Sequence, residues 1–257
     1  MHISDQLGRE YRWENTPKCI VSLVPSITEL LFDLGLQEQV VGVTKFCVHP
    51  ENSRKEKTIV GGTKNLRMDV ISKLQPDLII ANKEENNRDD ILQLAEEFPV
   101  FISDVSTVED ALEMIMSVGR ITDRGEQSLL ICHRIIEARN EWYRHRPKGI
   151  RTLYLIWREP WMCAGADTFI HHMMEEAGLE NVVEANRYPK TNIEEMRAIH
   201  PQLVMLSSEP YPFSDEHLHE LQQELPDSRI ILVDGEMFSW YGSRMQYSYP
   251  YFGKLMY

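Results

Sequence analysis

The sequence predicts an α/β protein of two similar lobes with mostly parallel sheets, joined by one long rigid helix. Three observations carry this. Short apolar runs alternate with helically spaced apolar positions along most of the 257 residues, as in a parallel sheet covered on both faces. One stretch, Glu126 to Tyr143, runs 18 residues without Pro or Gly. The segments on either side of it repeat each other in order.

Taken in sequence, Cys19 to Leu23 reads as a buried strand and Ile27 to Leu34 as a helix that Gly35 ends. Ser26, in Val24-Pro25-Ser26, reads as that helix's capping serine. Val40–Val43 is a second strand, Met68 to Leu74 a short helix, and Pro76 to Ala81 a buried strand. Ile91 to Glu97 continues a helix, Val100 to Ile102 is a strand, and Ser106-Thr107-Val108-Glu109 opens a further helix. In the long helix, Leu129, Leu130, Ile131, Cys132, Ile135, Ile136 and Ala138 recur near helical spacing. Pro147 and Gly149 end it, and the basic run Arg144, His145, Arg146, Lys148 and Arg151 suits a helix C-terminus. Alternation then resumes. Thr152 to Trp157, Leu203 to Leu206 and Ile230 to Val233 read as strands, and Thr168 to Ala177, Asn192 to Ile199 and Asp215 to Leu225 as helices, before an aromatic tail. The expected divisions are an N-terminal α/β lobe over 1–122, the connecting helix over 123–147 and a C-terminal α/β lobe over 148–257.

Met68-Asp-Val-Ile-Ser-Lys-Leu-Gln-Pro-Asp-Leu78 parallels Ile193-Glu-Glu-Met-Arg-Ala-Ile-His-Pro-Gln-Leu203 at a constant offset of 125 residues. Leu30 to Leu36 parallels Met173 to Leu179 in the same order, each with Gly next to last. A duplicated lobe accounts for both.

Composition narrows the function. A net charge of −13 with scattered cations argues against a nucleic-acid partner. The four cysteines, at 19, 47, 132 and 163, have neither disulfide-framework nor zinc spacing, and Cys19 and Cys132 read as buried thiols. The N-terminal residues read as lacking a secretory leader, which points to the cytoplasm for the chain as written, or to the periplasm if a leader has been removed. No nucleophile elbow, P-loop or dinucleotide fingerprint is present, and the expectation is a binder rather than an enzyme.

The run Ile20-Val-Ser-Leu-Val-Pro-Ser-Ile-Thr-Glu-Leu-Leu-Phe-Asp-Leu-Gly35 resembles the opening of the helical-backbone (class III) substrate-binding proteins that serve cobalamin and iron-complex ABC importers. Val41-Gly-Val-Thr44, the Gly61-Gly62-Thr63 turn, Leu74-Gln-Pro-Asp-Leu-Ile-Ile80, Ala164-Gly-Ala-Asp-Thr-Phe-Ile170 and Ala177-Gly-Leu-Glu-Asn181 follow in the family's order. The resemblance runs from about residue 17 through most of the chain. It implies two Rossmann-like lobes, a ligand in the cleft between them with modest closure, and docking on a permease through one acidic side chain per lobe. The matching positions are Asp69 and Glu194. The implied ligand is cobalamin or another corrinoid or iron complex. No intrinsic cofactor is expected, and the chain is expected to be a monomer.

A large flat ligand needs aromatic walls and a few orienting polar groups, placed on loops that leave strands at their carboxyl ends. The candidates are Phe46 and His49; Trp157, Arg158 and Trp161; Tyr188; and Phe238, Trp240, Tyr241 and Arg244. In the cobalamin branch the resemblance implies aromatic contacts near Phe46, Thr63, Asn82 and Tyr188, and this chain keeps an aromatic at the first and last. Lys45, Lys64, Arg158 and Arg244 are candidate partners for ligand carboxylates or phosphate, with Lys64 the plainest surface charge. His49 also reads as a hydrogen-bonded loop histidine. Alternatives are a cytoplasmic corrinoid or metal-complex sensor, a binder of free metal ion through His49, His200 and Glu209, and an enzyme on the same fold with Glu209 as base.

Overall fold

The computed structural model describes residues 2–12 and 15–256. An antiparallel hairpin of β1 (His2–Ser4) and β2 (Glu10–Arg12), for which the sequence reading proposes no element, opens the chain. The buried Asp5 organises its turn, accepting from the Leu7 and Arg9 amides and from the Arg9 guanidinium at 2.8–3.0 Å.

The first sheet contains β3 (Ile20–Ser22), β4 (Val40–Val43), β5 (Thr58–Ile59), β6 (Leu78–Asn82) and β7 (Val100–Ser103). All pairings are parallel, in the order β5-β4-β3-β6-β7. β3, β6 and β7 are buried at every position, as expected for strands covered on both faces. Helices α1 (Pro25–Asp33), α2 (Ser53–Glu56), α3 (Met68–Leu74) and α4 (Arg88–Glu97) lie between these strands in the chain, and α5 (Val108–Ile121) follows. The N-cap of α1 is Val24, whose side chain makes no cap hydrogen bond, and Pro25 takes the first helical position. Ser26 is therefore not the capping residue. Proline suits the first turn because its missing N–H has no intrahelical partner there.

Helix α6 (Gly125–Tyr143) spans 19 residues, about 28 Å at 1.5 Å per residue. Only part of its expected apolar set faces inward. Ser128, Ile131, Cys132 and Ile135 form the buried stripe, whereas Leu129 and Leu130 are 57% and 59% exposed and Ile136 is also exposed. At 3.6 residues per turn these positions fall off the narrow inward face. The basic run begins after the helix ends, with Arg144 paired to Glu141 and Arg146 donating to the Glu175 carbonyl.

The second sheet contains β8 (Ile150–Trp157), β9 (Met162–Cys163), β10 (Leu179–Asn181), β11 (Leu203–Ser207) and β12 (Arg229–Val233). The parallel order is β10-β8-β11-β12, with β9 folded back antiparallel on β8. Between them run α7 (Phe169–Glu176), α8 (Ile193–Ile199) and α9 (Asp215–Glu224). The aromatic tail, read without elements, forms α10 (Glu236–Ser239) and α11 (Met245–Met256). A buried carboxylate joins α6, α7 and α11. Glu176 accepts from Arg139 at 2.6 and 2.8 Å, from Tyr143 at 2.6 Å and from Tyr249 at 3.1 Å. Four donors offset the cost of removing this charge from water.

The chain divides into two compact units. One comprises the residues through Val105, Glu109–Ile136 and Tyr241–Arg244; the other comprises Ser106–Val108, Glu137–Trp240 and the residues from Met245 on.

The internal repeat is built into the backbone. The strand order β4-β3-β6-β7 of one unit is the order β10-β8-β11-β12 of the other. α3 and α8 are each 7 residues long. Each ends on a left-handed residue, Gln75 at φ +48° and His200 at φ +50°, immediately before a proline. The second parallel places Gly35 at φ +76° and Gly178 at φ +84°, where glycine avoids the Cβ penalty.

A non-glycine residue in the left-handed region is strained by roughly 1–2 kcal/mol. Gln75→Gly and His200→Gly are each expected to stabilise the protein by about 0.5–1 kcal/mol after the extra backbone entropy of glycine is offset. Denaturant melts of the two variants check this. Shifts of opposite sign would contradict equivalent roles for the two turns.

Candidate ligand-binding site

Each sheet has one point where the chain reverses its direction of winding, between β3 and β6 in the first unit and between β8 and β11 in the second. Loops leaving the carboxyl ends of strands at such a point form the ligand-binding edge of open α/β sheets.

In the second unit this edge carries an aromatic wall. Trp157 ends β8 and is 39% exposed. Its ring meets Tyr211 edge-on at 5.5 Å. Tyr211 in turn packs on Phe213 at 4.7 Å, and Phe213 stacks on Trp161 at 5.9 Å with an interplanar angle of 4°. The β8–β9 hairpin supplies the tryptophans and the loop after β11 supplies the other two rings. Arg158 stacks 5.4 Å over Trp161, and its Nη2 donates to both carboxylate oxygens of Glu220 at 2.7 and 2.8 Å. Its guanidinium therefore braces the wall. Tyr188 is half-buried in the neighbouring loop, which is tied to the hairpin by the Cys163 amide to the Pro189 carbonyl and the Thr191 amide to the Trp161 carbonyl. The loop also crosses Gly165 closely. A Cβ there would lie 2.2 Å from the Ala185 carbonyl oxygen and 2.6 Å from that of Arg187.

Three of the expected contacts from the tail lie elsewhere. Phe238 is 0% exposed and packs among Tyr154, Tyr251 and Phe252. Trp240 is buried and donates its indole N–H to Glu209 at 3.0 Å, and Tyr241 is buried as well. The segment is not a plain loop: α10 turns Phe238 into the core, and Trp240, at its C-cap, and Tyr241 follow it into buried positions.

The first unit's edge is smaller. Phe46 is 50% exposed, lies against Gly62 and has the Lys45 ammonium 5.0 Å from its ring centroid. His49 is half-buried in the same loop, close enough to act electrostatically on Glu29. Arg244 grips Glu29 bidentately at 2.6 and 2.8 Å with both side chains largely buried, which occupies the arginine internally. Asn82 is a structural residue. Its amide nitrogen donates to Ser103 and its oxygen accepts from the amides of Glu84 and Glu85. Asn86 closes the same loop by donating to the carbonyls of Leu23 and Thr63. Lys64 is exposed, as its reading as a surface charge requires, and its ammonium donates to the Glu84 carbonyl at 2.5 Å.

Asp69 and Glu194 sit in the first turns of α3 and α8, both exposed, and Asp69 pairs loosely with Lys73 at 3.6 Å. Cys47, Cys132 and Cys163 are buried and Cys19 is half-buried. All four thiols are pushed up by burial, Cys132 and Cys163 to about 11, which suppresses the nucleophilic thiolate. Among the described residues no three His, Cys, Asp or Glu side chains gather as a metal site would require. His200 caps α8 ahead of β11 while Glu209 follows that strand. The intervening strand separates them by roughly 16 Å at 3.3 Å per residue, so they cannot share an ion.

Glu209 is mostly buried at the second unit's edge and accepts from Ser239 at 2.6 Å and from Trp240 at 3.0 Å through one oxygen. Burial raises its carboxyl above the ordinary range; Ser239 opposes this, and Glu236 adds to it. The fold thus prefers the protonated form. That contribution is complete below the ordinary carboxylate range and is lost as pH rises through the raised value. Glu209→Gln keeps an acceptor for both donors, so the variant should melt above wild type at about pH 8 and converge with it near pH 4. Parallel thermal melts across that range are the check, and a variant less stable at both ends would contradict the assignment.

The profile of the family described as "Periplasmic binding protein" matches residues 20–229. A vitamin B12-binding protein of Yersinia pestis (strain Pestoides F) is 25% identical over 195 residues, covering 73% of this chain and 69% of that relative. Among solved structures, the periplasmic vitamin B12 binding protein BtuF of Vibrio cholerae superposes with a TM-score of 0.81 at 20% identity, covering 93% of this chain and 98% of that one. The periplasmic heme-binding protein RhuT from Roseiflexus sp. RS-1, in apo form, gives 0.76 at 24% identity, with 91% and 95% covered. With the matched profile spanning most of its length, the chain belongs to the periplasmic binding protein family.

Proposed function

We propose that this protein is the solute-binding component of an ABC-type importer and captures a flat corrinoid or iron complex, which it holds without transforming. The observation that carries the reading is the wall of Trp157, Tyr211, Phe213 and Trp161 at the winding reversal of the second sheet. Offset and edge-to-face rings present a broad apolar surface suited to a macrocycle. Phe46 with Lys45 offers a smaller surface of the same kind, aromatic with an adjacent cation, on the first unit. The names of the relatives, vitamin B12-binding and heme-binding, support the ligand class. The family's periplasmic address is the one we adopt, and no helix among the described residues is long and apolar enough to cross a membrane. The protein acts as a monomer, takes a small-molecule metal complex as its ligand and has no nucleic-acid partner.

Ligand-free protein titrated with hydroxocobalamin, and separately with haemin, should show saturable tryptophan quenching near one equivalent for one of the two. Trp157→Ala should weaken that binding by about 5- to 30-fold, since a well-placed aromatic contact is worth roughly 1–2 kcal/mol. Its exposure makes it a cleaner probe than Trp161, which is locked between Phe213 and Arg158. Failure of both complexes to bind would contradict the proposed ligand class.

Asp69 and Glu194 are proposed as the docking contacts to the permease. Both are exposed, and they occupy equivalent first-turn positions of the repeat. Reversing both charges, Asp69→Lys with Glu194→Lys, is expected to leave ligand affinity within about twofold while abolishing stimulation of the cognate permease's ATPase in vesicles. Undiminished stimulation would remove these residues from the interface.

A further inference from the structure

The loop after β11 contains a chain of hydrogen bonds whose direction can be worked out, and it ends at the aromatic wall. The backbone amide of Ser214 donates to Nδ1 of His217 at 3.1 Å, and the Ser214 hydroxyl lies 2.8 Å from the same nitrogen. An amide can only donate, so Nδ1 carries the lone pair and the ring hydrogen of the neutral imidazole resides on Nε2. Nε2 lies 3.1 Å from the Tyr211 hydroxyl and therefore donates to it. Arg158, beside it, is fixed by Glu220 and by stacking on Trp161. The Tyr211 oxygen thus receives a hydrogen bond from His217. Its own hydrogen is left to point away from that donor, and no acceptor for it is found among the described residues. The ring is held edge-on against the half-exposed Trp157 and tilted against Phe213.

We propose that Tyr211 orients the ligand on the second unit, by donating its phenolic hydrogen to an oxygen at the rim of the flat metal complex. This rests on the site and ligand class proposed above. The chemistry selected is an oxygen acceptor, either a carboxylate such as a porphyrin propionate or a carbonyl such as a corrinoid amide. His217 is a positioning residue. It holds the phenol as a donor, and the wall, braced by Arg158, holds the ring plane. The arrangement explains a histidine at the third position of α9, where a capping box ordinarily has Glu or Gln. Glutamate there would accept the Tyr211 hydrogen and glutamine could take either role, whereas this tautomer of histidine can only donate to the hydroxyl.

The test uses the full chain and two probes, haemin and hydroxocobalamin, with affinities from fluorescence titration and fold integrity from thermal melts. Tyr211→Phe keeps the ring contacts and removes only the hydroxyl. It should bind whichever probe the unaltered protein binds roughly tenfold more weakly, with the melting temperature little changed. His217→Glu restores an ordinary capping residue but offers an acceptor to the phenol. It should lose affinity to a similar degree, and the double variant should be no weaker than Tyr211→Phe alone. If haemin is the probe bound, its dimethyl ester tests the acceptor: a loss on esterification that vanishes in Tyr211→Phe assigns a propionate carboxylate, and equal losses in both backgrounds would overturn donation by Tyr211 to a propionate. Unchanged affinity in Tyr211→Phe, while Trp157→Ala loses binding, would overturn the role of Tyr211 and leave the site intact. Undiminished binding in both variants would overturn the site and this inference together, as would a lack of binding of either probe by the unaltered protein.

Discussion

Parallel strand pairing is the constraint from which the rest of this structure follows. A parallel neighbour cannot be reached by a tight turn, so each strand needs a crossover, and every strand of a sheet then releases its chain at the same edge. In both units the winding reverses beside the first strand, β3 or β8. The loops that separate there are free to diverge without breaking any sheet hydrogen bonds. The Trp157–Met162 hairpin, the Ser208–Ser214 loop and the Phe46–His49 loop all occupy such carboxyl-end positions.

The duplicated units have used the same frame differently. The amino-end turns are alike to within a few degrees of φ at Gln75 and His200, because the short helix, left-handed turn and proline are needed to feed a buried strand in either unit. The carboxyl-end loops share little. After β6 the chain is closed by the amides of Asn82 and Asn86, which satisfy backbone groups and leave no side chain over. After β11 the equivalent loop carries Glu209, Tyr211 and Phe213, and builds an aromatic surface. The stable parts of the repeat are those the sheet requires, and the variable parts are those a ligand would meet.

This division also explains what could be read from the sequence. Central strands were legible because they are continuous apolar runs, and the glutamine–proline and histidine–proline ends that α3 and α8 share placed α3 to the residue and α8 to within one, its N-cap Asn192 having been read as helix. Trp157 and Trp161 stood out because two tryptophans flank a proline just past a strand. Tyr211 and Phe213 carry the same aromatic–proline–aromatic signature, yet their partner His217 lies on the following helix, and a hydrogen-bond relay has no linear pattern. The tail misled in the opposite direction. Phe238 and Trp240 look like loop aromatics, but α10 turns Phe238 inward, and the buried Trp240 at its C-cap donates to Glu209. Arg158 and Arg244 read as free cations, and their carboxylate partners lie 62 and 215 residues away in sequence, beyond the reach of any local pattern.

On the proposed function, ligand is met by the carboxyl-end loops of the sheets. Hydrogen–deuterium exchange on the full chain, with and without the bound metal complex at saturation, addresses it directly. Protection concentrated in 44–49, 157–162 and 208–214, with the amino-end turns at 36–39, 75–77 and 200–202 unchanged, is the predicted result. Protection at the amino-end turns, or confined to the exposed face of α6, would contradict it.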